Sequence, residues 1–238
     1  MKPVVLMGAL AALLAACLAA HAQPGPPAGT VVTAAAVPDV SGGSILVRNR
    51  AGVTVTAFVY IYTMRSRDGS VLYAATGYYD SAIDPQAQPP IGPGQEVHVP
   101  HRIPFGGAAP AVGVEAGLFA GGGSFGEAGV VREILARRNY TLVSLNKSIA
   151  DLKQAIKDGL SRQDLIAQFQ NSLMSEASDS GDGDLANCIQ MVRGQVVAAL
   201  SSAWRRPDGS PIPVPELIQS QIDALNQRRE TLRAAVPK

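Results

Sequence analysis

The sequence predicts an α+β fold, an antiparallel β-sandwich followed by a region of about four amphipathic helices. Three observations carry this. Residues 30–120 hold six or seven short β-type runs separated by turn signals. Beyond Gly121-Gly122-Gly123 the apolar period changes from two to about three and a half. The helical stripes that follow are each one-sided, so each needs a partner surface.

The N-terminus reads as an export signal. Met1-Lys2-Pro3 is a short basic start, residues 4–16 are unbroken apolar, and Ala20-His21-Ala22 is an A-x-A cleavage site before Gln23. The run falls short of the ~20 residues that span a bilayer. Leu14-Ala15-Ala16-Cys17 is also similar to a bacterial lipobox, which would lipidate Cys17 and tether the chain to a membrane. Cleavage after Ala22 is the expectation and lipidation the alternative, because residues 18–20 stay apolar where a polar tether is usual. The expected segments are a signal over 1–22, a Pro-rich leader over 23–29, a sandwich over 30–122 and a helical region over 123–238.

Residues 30–37 are small and apolar, and 44–50 alternate. Asn49-Arg50-Ala51-Gly52 turns the chain into 53–64, VTVTAFVYIYTM, the longest β-type run. Strand side chains alternate between faces. Val53, Val55, Ala57, Val59 and Ile61 therefore make an aliphatic face expected in the core. Thr54, Thr56, Phe58, Tyr60 and Tyr62 make a face that turns aromatic and needs a cover. Arg67-Asp68-Gly69-Ser70 is a hairpin signal, with Asp-Gly supplying positive φ. Residues 71–79 return, with Val71, Tyr73, Ala75 and Tyr79 on one side. Residues 81–93 carry four prolines and read as a long loop. Residues 95–99 and 111–120 are the remaining strands, the latter with Val112, Val114, Ala116 and Leu118 in register.

Gly121-Gly122-Gly123 is expected to end the sheet, and Ser124 with Glu127 has capping-box spacing. Val131, Leu135, Leu142, Leu145, Ile149, Leu152 and Ile156 then step by four and three, with Arg138 in the seam, over a helix of ~27 residues or ~40 Å. Gly159 stops it. Ser161 and Asp164 open a second helix bearing Leu165, Ile166, Phe169 and Leu173. After the polar loop 175–183, Asp184 opens a third with Leu185, Ile189, Val192, Val196, Leu200 and Trp204. Pro215 suits the first turn of a fourth, with Ile218, Ile222, Leu225 and Leu232 and with Arg229 in the seam. The first and fourth stripes suit antiparallel pairing within the chain; a homodimer through the helices is the alternative.

The strand spacing over 30–120 resembles immunoglobulin-like or fibronectin type III modules. The Cys…Trp…Cys core of antibody domains is missing, since the only Trp is Trp204. The order of a small sandwich, a last strand ending Leu-Phe-Ala-Gly-Gly-Gly, then Phe125-Gly126-Glu127 and a helix with Arg137-Arg138 is similar to a group of uncharacterised secreted bacterial proteins. That group carries Phe-Ala-Asp-Gly where this chain has Gly121 in place of the Asp. The likeness implies a fold and no activity.

Composition narrows the function. Lys and Arg number 20 against 19 Asp and Glu, so no global charge draws nucleic acid or an anionic membrane. Without Cys17, Cys188 is the only thiol and reads as a small buried hydrophobe. Asp179, Asp182 and Asp184 in a Gly-containing loop do not fit an EF-hand in any frame, because the required oxygen ligands fall on Gly, Ala, Gln or Arg. Glu96, His98 and His101 could hold zinc, but HxxH off a helix with no further ligand is a poor pattern. Serine chemistry has no support, since its base would have to be His98 or His101 on an edge strand, and no phosphate loop is present. The sequence thus nominates no catalytic residue, metal or cofactor. Phe58, Tyr60, Tyr62, Tyr73 and Tyr79, with Tyr78, form the aromatic surface, read either as covered core or as an open binding face. The expected function is that of an exported, non-enzymatic structural or interaction protein with a protein partner at the bacterial envelope. A small-molecule or glycan binder using the aromatic face is the alternative.

Overall fold

In the computed structural model, residues 31–37, 43–66, 68–84, 88–100, 110–179, 183–202, 205–206 and 208–236 are described, those of 176–179 by backbone only. The calls on Cys17, the signal, His101, Asp182 and Trp204 lie outside these residues. The described chain is α+β, with N-terminal antiparallel strands and four helices after them. No described helix is long and apolar enough to cross a membrane.

Strands β1 (Val32–Val37), β2 (Ser44–Asn49) and β5 (Glu96–Pro100) form a three-stranded antiparallel sheet in the order β1-β2-β5. Strands β3 (Val55–Arg65), β4 (Val71–Asp80), β6 (Ala111–Phe119) and β7 (Ser124–Gly126) form a second, in the order β4-β3-β6-β7. The long 53–64 run is thus an interior strand, paired on both edges, although Val53 precedes it and is 47% exposed rather than core.

The turns are built by side chains as the spacing suggested. In the β3–β4 hairpin Gly69 has φ +87°, and the Asp68 carboxylate accepts from the Ser70 amide at 3.0 Å and the Ser70 hydroxyl at 2.8 Å. The Ser66 hydroxyl, which donates to the same carboxylate, and then these two bonds draw the Asp68 carboxyl down to about 2. At the end of β2, buried Asn49 acts as a staple. Its amide donates to the carbonyls of Val53, Ile91 and Gly92 at 2.9, 2.8 and 3.1 Å, and its Oδ1 accepts from Ala51 N–H at 2.9 Å.

The glycine run corrects one expectation. Gly121 and Gly122, with φ +89° and +93°, do not end the sheet; they turn β6 into β7. Ser124 is consequently in a strand and caps nothing. Helix α1 (Ala128–Asp158) starts after Glu127, with no side-chain cap bond. Among the described residues both sheets still end by Gly126, before the helical period begins, and only an isolated bridge between Arg205 and Pro211 follows.

Helix α1 has 31 residues and ends where expected, at Gly159 in the left-handed conformation, φ +62°. Its buried set is wider than one heptad seam. Val130, Ile134, Thr141, Ser144, Ser148 and Ala155 join Leu145, Ile149 and Leu152. The reason is that two surfaces cover it. Its first turns lie on Ala57, Val59, Ala116 and Leu118 of the four-stranded sheet. Its later turns share a core with α2 (Arg162–Asp179), α3 (Gly183–Ser201) and α4 (Val214–Ala235). Ser161 and Asp164 do form a cap, with Asp164 N–H donating to the Ser161 hydroxyl at 3.2 Å. Pro215 sits in the first turn of α4. Arg138, early in α1, donates to the carbonyl of Ala235 at the end of α4, so the two helices run antiparallel as their stripes suggested. The apolar stripes of all four helices are therefore used inside the chain.

Candidate interaction site

Strand β3 directs Ala57 and Val59 to one face and Phe58, Tyr60, Tyr62 and Met64 to the other. The face expected to need a cover is not the one that receives helix α1. Helix α1 lies on the aliphatic face, where Ala57, Ala116 and Leu118 are small or smooth enough for a helix to approach. The aromatic face is turned away from α1 and is nonetheless interior: Phe58 and Tyr62 are 0% exposed, Tyr79 2% and Tyr60 5%.

The rings pack on one another. Phe58 stacks on Tyr79 with centroids 4.7 Å apart, and Phe58 and Tyr60 are 6.1 Å apart. The Tyr60 ring lies over Gly77, where an added Cβ would stand 2.1 Å from Tyr60 Cζ. Burial raises the phenol pKa of Tyr60 and Tyr62, and pushes that of Tyr79 up to about 12. The Tyr79 hydroxyl donates to the carbonyl of Pro89. Of the five nominated residues, Tyr73 alone reaches solvent. It is 51% exposed and meets Tyr62 edge-on at 6.2 Å.

A buried ion pair that sequence reading missed lies beside this cluster. Arg138 Nε donates to Asp80 Oδ2 at 2.8 Å and Nη2 to Oδ1 at 3.0 Å, while Nη1 donates to the Ala235 carbonyl at 2.6 Å. Asp80 Oδ1 also accepts from the Ala82 amide at 2.9 Å. The fork is bidentate and its donors and acceptors are spent inside the chain, which makes it a lock between β4, α1 and α4. Arg137 faces the other way. It lies 3.9 Å above the Tyr78 ring and pairs with Asp184 at 2.7 Å. A cleft of about 150 Å³ opens between them, lined by Phe58, Tyr79, Asp80, Asp84, Gln88 and Arg137 among others. The only hint of the fork in sequence was Arg138 occupying an apolar seam position.

The remaining candidate ligands are dispersed. Glu96 pairs with Arg48 across the β2–β5 ladder at 2.6 Å, and His98 Nδ1 is 2.9 Å from the Ser44 hydroxyl. Cys188 is buried, with its thiol 3.7 Å from the Arg137 carbonyl. Among the described residues no group of three His, Cys, Asp or Glu side chains is placed to hold a metal.

The accessible feature of the four-stranded sheet is its β4 edge. Val71, Leu72 and Tyr73 are 53, 62 and 51% exposed, and Ala74 and Thr76 are exposed as well. No charged residue and no proline occurs from Val71 to Tyr79. The outer side of the strand can be assigned from its end. Asp80 N–H leaves the ladder to meet Gln88 Oε1 at 2.7 Å, while Ser81 N–H turns in to the Thr56 carbonyl at 2.8 Å. Alternation then sends the amides and carbonyls of Ala74 and Thr76 outward, where they have no hydrogen-bond partner among the described residues. Edges of this kind are usually blunted by Lys, Pro or shortness; among the described residues this one carries a bulge, where the register slips between Met64 and Arg65, and the Gln88 side chain on the Asp80 amide. No protein-family model, curated protein or solved structure matches the chain.

Proposed function

We propose that this is an exported interaction protein of the bacterial envelope, without a reaction centre, that engages a protein partner by strand addition at the β4 edge. The observation that carries this is the exposed, uncharged run 71–77, whose outward backbone groups are available to pair. The N-terminal apolar segment with its A-x-A site supports export, with a lipid tether at Cys17 as the other route. The two antiparallel sheets support an immunoglobulin-like sandwich carrying that edge. The candidate acids and bases support a non-enzymatic role, because Asp80, Asp184 and Glu96 are each committed to an arginine.

The test is site-specific photo-cross-linking in the producing cell. A photoreactive residue at Leu72 should give protein adducts that the same residue at Val143, exposed on α1, does not. Equal labelling at the two positions, or none, would refute the proposal. Mass spectrometry of the mature protein tests export separately: a start at Gln23 is expected, and an unprocessed Met1 in the envelope-free fraction would overturn it.

A further inference from the structure

We infer that the cleft bounded by the end of β4, α1 and α3 is a binding site for a small aliphatic α-amino acid in its zwitterionic form. This goes beyond the interaction at the β4 edge and does not depend on it. It rests on the groups that the cleft walls still offer once their bonds within the chain have been made.

The donors come from Arg137 and Gln88, which both line the cleft. Arg137 gives Nη1 to Asp184 at 2.7 Å and lays the face of its guanidinium 3.9 Å above the Tyr78 ring. These two contacts hold the group in place and leave Nε and Nη2 without a hydrogen bond among the described residues. That edge of a guanidinium matches the two oxygens of a carboxylate. The adjacent Arg138 shows the match in this molecule, since its Nε and Nη2 hold the two oxygens of Asp80. Gln88 is oriented by the Asp80 amide, which donates to its Oε1 at 2.7 Å. Its Nε2 is therefore the end that remains to donate, and it has no partner among the described residues.

Charge selects the class of ligand. Besides Asp80, which Arg138 and the Ala82 amide already engage, the charged groups on the wall are Arg137 and Asp84. A ligand with a single charge would satisfy one of them and set a like charge against the other. A zwitterion satisfies both, with its carboxylate on Arg137 and Gln88 and its ammonium on Asp84. Size and polarity select within that class. Phe58, Ile83 and Ile134 are buried, and Met191 is half-buried on the same wall. They supply an apolar floor for a short side chain. A cavity of about 150 Å³ accepts a molecule as large as benzene, which leaves room here for roughly six to eight non-hydrogen atoms, the range from alanine to valine. Aromatic amino acids and dipeptides exceed it.

Methyl NMR of the full wild-type chain reads the site directly. L-alanine and L-valine, titrated to about 10 mM, should saturably shift the methyls of Ile83, Ile134 and Met191 and leave that of Val143, exposed on α1, in place. Isovalerate, which lacks the ammonium, and isobutylamine, which lacks the carboxylate, should not. Two variants give a second reading. Arg137→Lys keeps the charge opposite Asp184 but loses the guanidinium edge, and Asp84→Asn keeps the shape but loses the anion. Each should weaken L-valine at least about tenfold in calorimetry, with an unchanged far-UV spectrum. If a variant does not fold, the wild-type titrations decide alone. No saturable shift with either amino acid overturns the inference, as does an equal response to isovalerate or isobutylamine, or a shift as large at Val143. L-valine binding that both folded variants retain at full strength overturns it too. None of these results bears on the Leu72 adducts, so the cleft and the β4 edge stand or fall separately.

Discussion

Arg138 and Asp80 show how one residue's environment overrides its ordinary preference. Both side chains are nearly sealed, at 2% and 8% exposure. A buried charge is tolerated only with its partner, so removing one member costs about 3–5 kcal/mol while removing both costs much less. Asp80→Asn and Arg138→Met should each destabilise by that amount in urea melts, and Asp80→Leu with Arg138→Met should recover a large part of it. Strictly additive losses would show that the two are not coupled. Tyr62, at 0% exposure, should cost about 3–5 kcal/mol when cut to Ala, whereas Tyr73→Ala should stay within about 1 kcal/mol. Equal effects would mean that the aromatic face is not interior. Asp68 makes a pH prediction. Its folded carboxyl lies at about 2, below the ordinary 3.8, so its contribution to the hairpin is complete above about pH 4 and disappears as pH falls through about 2. Carboxyl NMR shifts should place its midpoint there; a midpoint near 3.8 would remove the turn bonds from the account.

At the scale of elements, glycines separate two requirements. Gly121 has φ +89° with open space around a would-be Cβ, so Gly121→Ala carries only the conformational cost, about 1 kcal/mol. Gly126 has φ +83° and a Cβ there would stand 2.0 Å from the Glu115 carbonyl oxygen. Gly126→Ala must therefore move backbone and should lower the melting temperature several times more than Gly121→Ala. Similar shifts would mean that β7 is not held against β6. The period of the apolar residues made most elements legible: β3, the hairpin and Gly159 all stand where their residues suggested. Two elements were read differently for definite reasons. A three-residue strand such as β7 is too short to show a period. The buried width of α1 was underread because a helix covered on two sides buries Thr141, Ser144 and Ser148, which no apolar count would select.

For the whole molecule, sheets and helices share contacts that make them one mechanical object. Ala82 and Ile83, just after β4, belong to the core formed by the helices. The Arg138 fork joins β4 to α1 and α4. Residues 32–238 accordingly group as one compact unit. Thermal unfolding followed by helical circular dichroism and by tyrosine absorbance should therefore give coincident transitions. Two separated midpoints would show that the sheets and the helices unfold independently.

Periodicity and turn chemistry are local properties, encoded within a few residues. They are why the class of fold, the hairpin at Asp68-Gly69 and the antiparallel pairing of the first and last helices could be read from the amino-acid string alone. Which face of β3 receives a helix, the pairing of Asp80 with an arginine 58 positions away, and the exposure of β4 depend on how elements lie against one another. Burial and edge position are settled by neighbours distant in the chain, and no local pattern records them.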